Sequence, residues 1–90
     1  MKKIKVILKE RNKEMATEVG EILKKNRIDV YRTSRYGVYL NIDDDTLKNY
    51  FNCKLNDEAT IVEFKIPTEL NTMVEAIYEP GKPAFFKQKI

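Results

Sequence analysis

The stretch Val30-Tyr31-Arg32-Thr33-Ser34-Arg35-Tyr36-Gly37-Val38-Tyr39-Leu40-Asn41-Ile42 decides how this chain is read. It falls within two expected strands, Ile28 to Arg32 and Gly37 to Ile42, rich in β-branched and aromatic residues across a short polar turn, the pattern of a hairpin. In the second half Val38, Leu40 and Ile42 alternate with Tyr39 and Asn41. One face of the strand is therefore apolar and the other aromatic and polar. Three tyrosines and two arginines in the stretch mark that second face as a candidate binding surface.

Upstream, Ile4, Val6 and Leu8 alternate with Lys3, Lys5 and Lys9, with Ile7 the exception, which predicts a first strand with one buried face. Asn12 then caps a helix in which Met15, Val19, Ile22 and Leu23 recur at helical spacing, and Asn26 is its expected left-handed C-cap. Gly20 sits inside that helix at a cost of about 1 kcal/mol relative to alanine, which close approach to a neighbouring element would offset. Downstream, Asp43-Asp44-Asp45-Thr46 caps and charges the start of a second helix whose apolar stripe is Leu47, Tyr50, Phe51 and Leu55. Thr60 to Ile66 reads as a fourth strand with Val62, Phe64 and Ile66 on one face, ended by Pro67. Beyond it Leu70, Met73, Val74 and Ile77 fit the helical template, so a short third helix is expected. Pro80-Gly81 marks a turn, and Ala84 to Ile90 is an edge strand or tail.

The first six elements run β-α-β-β-α-β. The expected fold is thus an α+β ferredoxin-like sandwich, an antiparallel sheet with helices on one face, carrying a short C-terminal helix or strand extension. The whole chain of 90 residues is read as a single domain, with residues 1–66 as the core and 67–90 as the extension. Helices on one side leave the other sheet face open. Strict alternation places Tyr31, Thr33, Tyr39, Asn41, Glu63 and Lys65 on that open face with Lys3, Lys5 and Lys9, unless the residues after Pro67 fold over it.

Composition narrows the function classes. With 42% hydrophobic and 34% charged residues, the chain is ordinary for a globular domain. No apolar run approaches the roughly 18 to 20 residues of a membrane span, and Lys2-Lys3 leads into a charged, alternating segment, so a cytoplasmic location without membrane contact is expected. The single Cys53 forms no internal disulfide and reads as a structural thiol. The net charge of +3 is unevenly spread: residues 1–42 carry eleven basic and five acidic groups, residues 43–79 three and nine, and residues 80–90 three and none. A basic side and an acidic side are the result if folding keeps these blocks apart.

No motif for chemistry stands out. The chain has no histidine, which removes Ser-His and Cys-His nucleophiles and the usual proton carrier near neutral pH. Asn41, Asp43 and Asp45 begin a calcium-loop spacing, but the required glycine is Thr46 and the final glutamate is Asn52. Gly20, Gly37 and Gly81 are too far apart for a phosphate loop. No catalytic residue, cofactor or metal is expected, and the chain is read as not an enzyme.

Binding is what remains. The segment Arg35 to Ile42 is similar to the third-strand motif of RNA-recognition domains, but here glycine follows tyrosine rather than the basic residue and Ile42 stands at an aromatic position. The first strand also lacks an aromatic. The element order is similar to that of the small prodomain-type inhibitors of subtilisin-like proteases, which present a sheet and a C-terminal tail to a protein. The first expectation is therefore a small protein-interaction module, an inhibitor or regulatory adaptor, binding another protein through Tyr31, Arg35, Tyr39, Asn41, Phe85 and Phe86. The alternative is RNA or single-stranded DNA held by Lys3, Lys5, Tyr31, Arg32, Arg35, Tyr39 and Lys65. Homodimerisation through an edge strand is compatible with either.

Overall fold

A computed structural model describes residues 2–58, 61–79 and the backbone of 86–87. Strand β1 (Lys2–Leu8) leads to helix α1 (Lys13–Lys25), then the hairpin β2 (Asp29–Ser34) and β3 (Gly37–Ile42), then helix α2 (Asp44–Tyr50). Two short strands, β4 (Lys54–Leu55) and β5 (Ile61–Glu63), pair with each other, and β6 (Val74–Tyr78) and β7 (Phe86–Lys87) return to the main sheet. This is a small α+β fold in which four antiparallel strands lie in the order β2-β3-β1-β6 beside two helices, with β7 added outside β6.

Strands β1 and β3 form as their alternation dictates. Ile4 pairs with Leu40 and Val6 with Val38, and all four are fully buried, while Lys3 pairs with Asn41 and Lys5 with Tyr39 on the opposite face. Helix α1 lays Ala16, Val19, Gly20 and Leu23 on the buried side, and Met15 and Ile22 pack at its margin. Asn12 Oδ1 caps it by accepting from the amides of Glu14 and Met15 at 2.9 and 3.1 Å. In α2, Asp43 Oδ1 accepts from the Thr46 amide at 2.6 Å, and Leu47 and Phe51 complete the same core.

The left-handed residue after α1 is Arg27, at φ 62°, and not Asn26, whose φ is −93°. The Ile28 amide donates to the Leu23 carbonyl and the Arg27 amide to that of Lys24. This is the Schellman pattern, with buried Leu23 and Ile28 as its hydrophobic contact. Helix α2 is shorter than the stripe implied. It ends at Tyr50, Asn52 turns to φ 48°, Cys53 lies beyond the helix and Leu55 belongs to β4.

Two expectations in the C-terminal half are overturned. The third helix is absent: residues 67–73 wind through turns, with the Leu70 amide bonded to Pro67 O and those of Met73 and Val74 to Leu70 O, and then the chain straightens into β6. Those turns produce the helical spacing of Leu70, Met73 and Val74. Ile77 falls on it by coincidence, because β6 hides its alternation. Ala76 and Ile77 point to opposite faces, yet both are at most 1% exposed, and a bulge inserts Glu75 between the pairs Ile7–Ala76 and Leu8–Val74. Among the described residues the expected fourth strand is real only over β5 and pairs with β4, outside the main sheet; Ile61, Phe64 and Ile66 are buried, whereas Val62 is 44% exposed.

Glu69 fastens the turn segment to both helix ends. Its carboxylate accepts from the Tyr50 hydroxyl and from Asn26 Nδ2, the latter at 3.3 Å. Burial, the bond to Glu69 and its negative charge together push the Tyr50 hydroxyl above the ordinary tyrosine range, so it stays a donor.

Candidate functional site

The face of the sheet opposite the helices carries Lys3, Lys5 and Ile7 from β1, Tyr39 and Asn41 from β3, Asp29, Tyr31 and Arg32 from β2, and Ala76 and Tyr78 from β6. The segment after Pro67 extends this sheet at the β1 edge. The β2 part of the face is open, with Tyr31 44% exposed and Lys3 exposed beside it, whereas Ala76 at the β6 side is buried.

A bulge in β2 sets the composition of this face. Val30 pairs with Leu40 and Arg32 with Tyr39, so Tyr31 is an extra residue and both Tyr31 and Arg32 lie over Tyr39. The parity of the strand changes there. Thr33, expected outside, pairs with Val38 on the helix side, and its Oγ1 lies 3.5 Å from where a Cβ on Gly20 would be. Arg32 takes the place on the open face that strict alternation assigns to Thr33.

Cations and rings interleave across the platform. Lys3 Nζ lies 5.7 Å from the Tyr31 ring centre, Lys5 Nζ lies 5.3 Å from that of Tyr39 and 6.0 Å from that of Tyr78, and the Arg32 guanidinium lies 5.2 Å from Tyr39. The rings of Tyr31 and Tyr39 are 6.1 Å apart and tilted by 52°. Among the described residues none of these three cations has a carboxylate within ion-pairing distance; the ion pairs formed are Lys2–Asp44 and Lys54–Glu63. Asp29, the acid on the β2 part of this face, is held by Asn41 Nδ2 at 3.0 Å.

Gly37 shapes the space between platform and hairpin. A Cβ there would stand 2.5 Å from the Val6 carbonyl and 3.1 Å from Lys5 Cε, so the Lys5 side chain passes over bare backbone to reach its two rings. The hairpin itself carries Arg35 and Tyr36. Arg35 Nη2 donates to Tyr36 Oη at 3.0 Å, and Ser34 Oγ accepts from the Tyr36 amide at 3.2 Å.

Of the residues singled out from sequence, Lys3, Lys5, Tyr31, Arg32, Tyr39 and Asn41 share the open face. Arg35 stands apart on the hairpin turn. Lys65 is exposed beyond β5, with its amide bonded to Phe51 O, and Glu63 pairs with Lys54 in the small sheet, so neither belongs to the face expected for it. Phe86 begins β7 with its backbone paired to Ile77, while Phe85 and the Pro80-Gly81 turn lie outside the described residues. Sequence reasoning missed Tyr78, Ile7 and Ala76 as part of this surface. Misreading β6 as helix concealed Tyr78, and the pairing of its strand with β1 is what brings it beside Lys5.

The acidic cluster at α2 is a capping device. A shallow cleft of about 360 Å³ is lined by Lys2, Asp43, Asp44 and Asp45, and Lys2 Nζ pairs with Asp44 Oδ1 at 3.5 Å. The hydrogen bonds from Thr46 hold the Asp43 carboxyl below the usual range, as an acceptor. Cys53 is buried, and burial pushes its thiol up to about 12, far from a reactive thiolate. No helix among the described residues is long and apolar enough to cross a membrane. Compared with protein-family models, with curated proteins and with solved structures, the chain has no match.

Proposed function

We propose that this chain is a non-enzymatic binding module that holds single-stranded nucleic acid on the open face of its sheet. The observation that carries this reading is the interleaving of Tyr31, Tyr39 and Tyr78 with Lys3, Lys5 and Arg32 on one face of the sheet. Bases stack on aromatic faces and amines neutralise phosphates, which is how sheet surfaces take single strands. Exposed cation–π contacts are worth about 0.5–1 kcal/mol, whereas stacking is worth about 1–3 kcal/mol per base. Bases therefore displace the amines from the rings, and the released amines turn to the phosphates.

The arrangement we infer for the fold is the ferredoxin-like one, with β6 in the role of the fourth strand and the β4–β5 pair inserted before it. The strand order β2-β3-β1-β6 and the antiparallel pairing support this.

A protein partner is the second reading. Tyrosine and arginine are the residues that dominate protein interfaces, and the face offers both. An inhibitor or adaptor would use the same platform together with the strand edge at β7.

Binding of a fluorescein-labelled oligouridylate of roughly twelve nucleotides, followed by anisotropy at about 50 mM salt, separates the two. The nucleic-acid reading expects salt-sensitive binding and a loss of about tenfold or more in Tyr39→Ala. Absence of binding under these conditions would end it.

A further inference from the structure

The β2–β3 hairpin carries a second aromatic-basic group that lies off the sheet. The Arg11 guanidinium is 5.2 Å from the Tyr36 ring centre and that of Arg35 is 5.1 Å from it, although the two arginines come from different loops. We propose that Arg11, Arg35 and Tyr36 form a phosphate-binding station at the end of the platform, so that a bound single strand runs along the sheet face and leaves over the hairpin. This rests on the reading of the sheet face as a nucleic-acid surface.

Electrostatics supports the station first. Two guanidinium groups converge on one ring, and among the described residues neither has a carboxylate within ion-pairing distance to offset their repulsion. Both arginines are exposed and Tyr36 is 46% exposed, so the charged groups face water. An anion with several acceptor oxygens relieves this repulsion, and the planar, multi-donor guanidinium matches phosphate geometry.

The surroundings limit how far the two arginines move. Arg11 directly precedes Asn12, whose side chain is committed to capping α1. Arg35 is tied to the Tyr36 hydroxyl, and the Tyr36 amide to Ser34 Oγ. The Arg35 guanidinium and the Tyr36 ring are thus held before an anion arrives.

Position then links the station to the platform. The antiparallel pairing of β1 with β3 puts the hairpin at the end of the sheet where β1 runs into the loop bearing Arg11. Tyr36 and Tyr39 are close in sequence, and the short backbone between them passes Gly37, which Lys5 crosses. The station thus lies at the β3 start of the sheet, at the end where Lys5 crosses Gly37.

The test is the salt dependence of binding by the full chain, using the labelled oligouridylate between about 50 and 200 mM salt. Each phosphate neutralised on a single strand contributes about 0.7 to the slope of log affinity against log salt. The double variant Arg11→Gln/Arg35→Gln is expected to flatten that slope by about 1.4, while Arg11→Lys/Arg35→Lys retains the slope and Tyr39→Ala lowers affinity without changing it. An unchanged slope in the glutamine variant, with wild-type binding and the Tyr39→Ala loss intact, would overturn the station and leave the platform standing. Failure of the wild-type chain to bind overturns both. Equal binding of an oligoglutamate peptide, with the same loss in the glutamine variant, would make the ligand an acidic protein segment and reject nucleic acid.

Discussion

The rings of Tyr31 and Tyr39 lie 6.1 Å apart on the open face, where β2 holds one residue more than β3 opposite Tyr39, so that Arg32 also pairs with Tyr39. Without that extra residue, alternation would put Thr33 on the open face and turn Arg32 toward α1. The bulge converts an ordinary edge strand into one that offers a ring and a guanidinium side by side. It also increases the local twist, which makes this edge a poor template for pairing with a second chain.

The register yields a prediction that distinguishes neighbours. Arg32→Gln is expected to weaken oligouridylate binding and to reduce the salt slope by about 0.7, the contribution of one phosphate. Thr33→Val, on the helix side, is expected to leave both unchanged. Anisotropy titrations across a salt series check this, and equal effects of the two substitutions would reject the bulge as the source of the platform.

Gly20 and Gly37 should respond in opposite directions to alanine. A Cβ at Gly20 meets Thr33 Oγ1 at 3.5 Å and Val30 Cγ1 at 4.0 Å, both ordinary contacts, so close approach does not require glycine there. Gly20→Ala is expected to stabilise by about 1 kcal/mol and raise Tm by about 4–8 °C. At Gly37 the Cβ would stand 2.5 Å from the Val6 carbonyl in the paired strand. Gly37→Ala is expected to cost about 1–3 kcal/mol. Thermal and urea melts of the two variants measure both.

Arg27 occupies a left-handed position that glycine adopts freely. Arg27→Gly is expected to stabilise by about 0.5–1 kcal/mol, the relief of the left-handed backbone being partly offset by greater freedom of the unfolded chain. Urea denaturation decides the sign. A loss of stability would mean that the Arg27 side chain contributes more than its backbone costs.

Cys53 should be unreactive in the native state and a source of alkaline instability. Its folded value of about 12 lies above the ordinary thiol value of 9.0 because burial penalises the thiolate. Folded and unfolded chains both keep the thiol below pH 9. As pH rises from 9 to 12, the unfolded chain loses its proton first, and stability falls by at most about 1.4 kcal/mol per pH unit. The stability advantage of wild type over Cys53→Ala should therefore shrink across that window in urea melts. Thiol-reagent kinetics at about pH 8, just below the ordinary thiol range, should show slow modification that becomes fast in denaturant; fast native modification would contradict the burial.

Much of the N-terminal half was legible from sequence because its elements bury one face each. Ile4, Val6 and Leu8 alternate cleanly, Val19 and Leu23 recur at helical spacing, and Asn12 and Asp43 cap by local bonds that depend on nothing distant. The tyrosines of the hairpin and the lysines of β1 also announced a shared polar face by parity alone.

Tertiary structure decided the rest. Residues 74–78 lack alternation because neighbours and a bulge bury both Ala76 and Ile77, so no periodicity could separate strand from helix there. The bulge at Tyr31 put Arg32 in the place of Thr33 on the open face, a choice made by pairing with Tyr39 and by packing against α1. Tyr78 reached the platform because its strand pairs with β1, far away in sequence, and Lys65 stands off it because β5 pairs with β4 outside the main sheet. Local propensity and capping act within a few residues and can be read along the chain; register and strand order are fixed by contacts that exist only once the chain has folded.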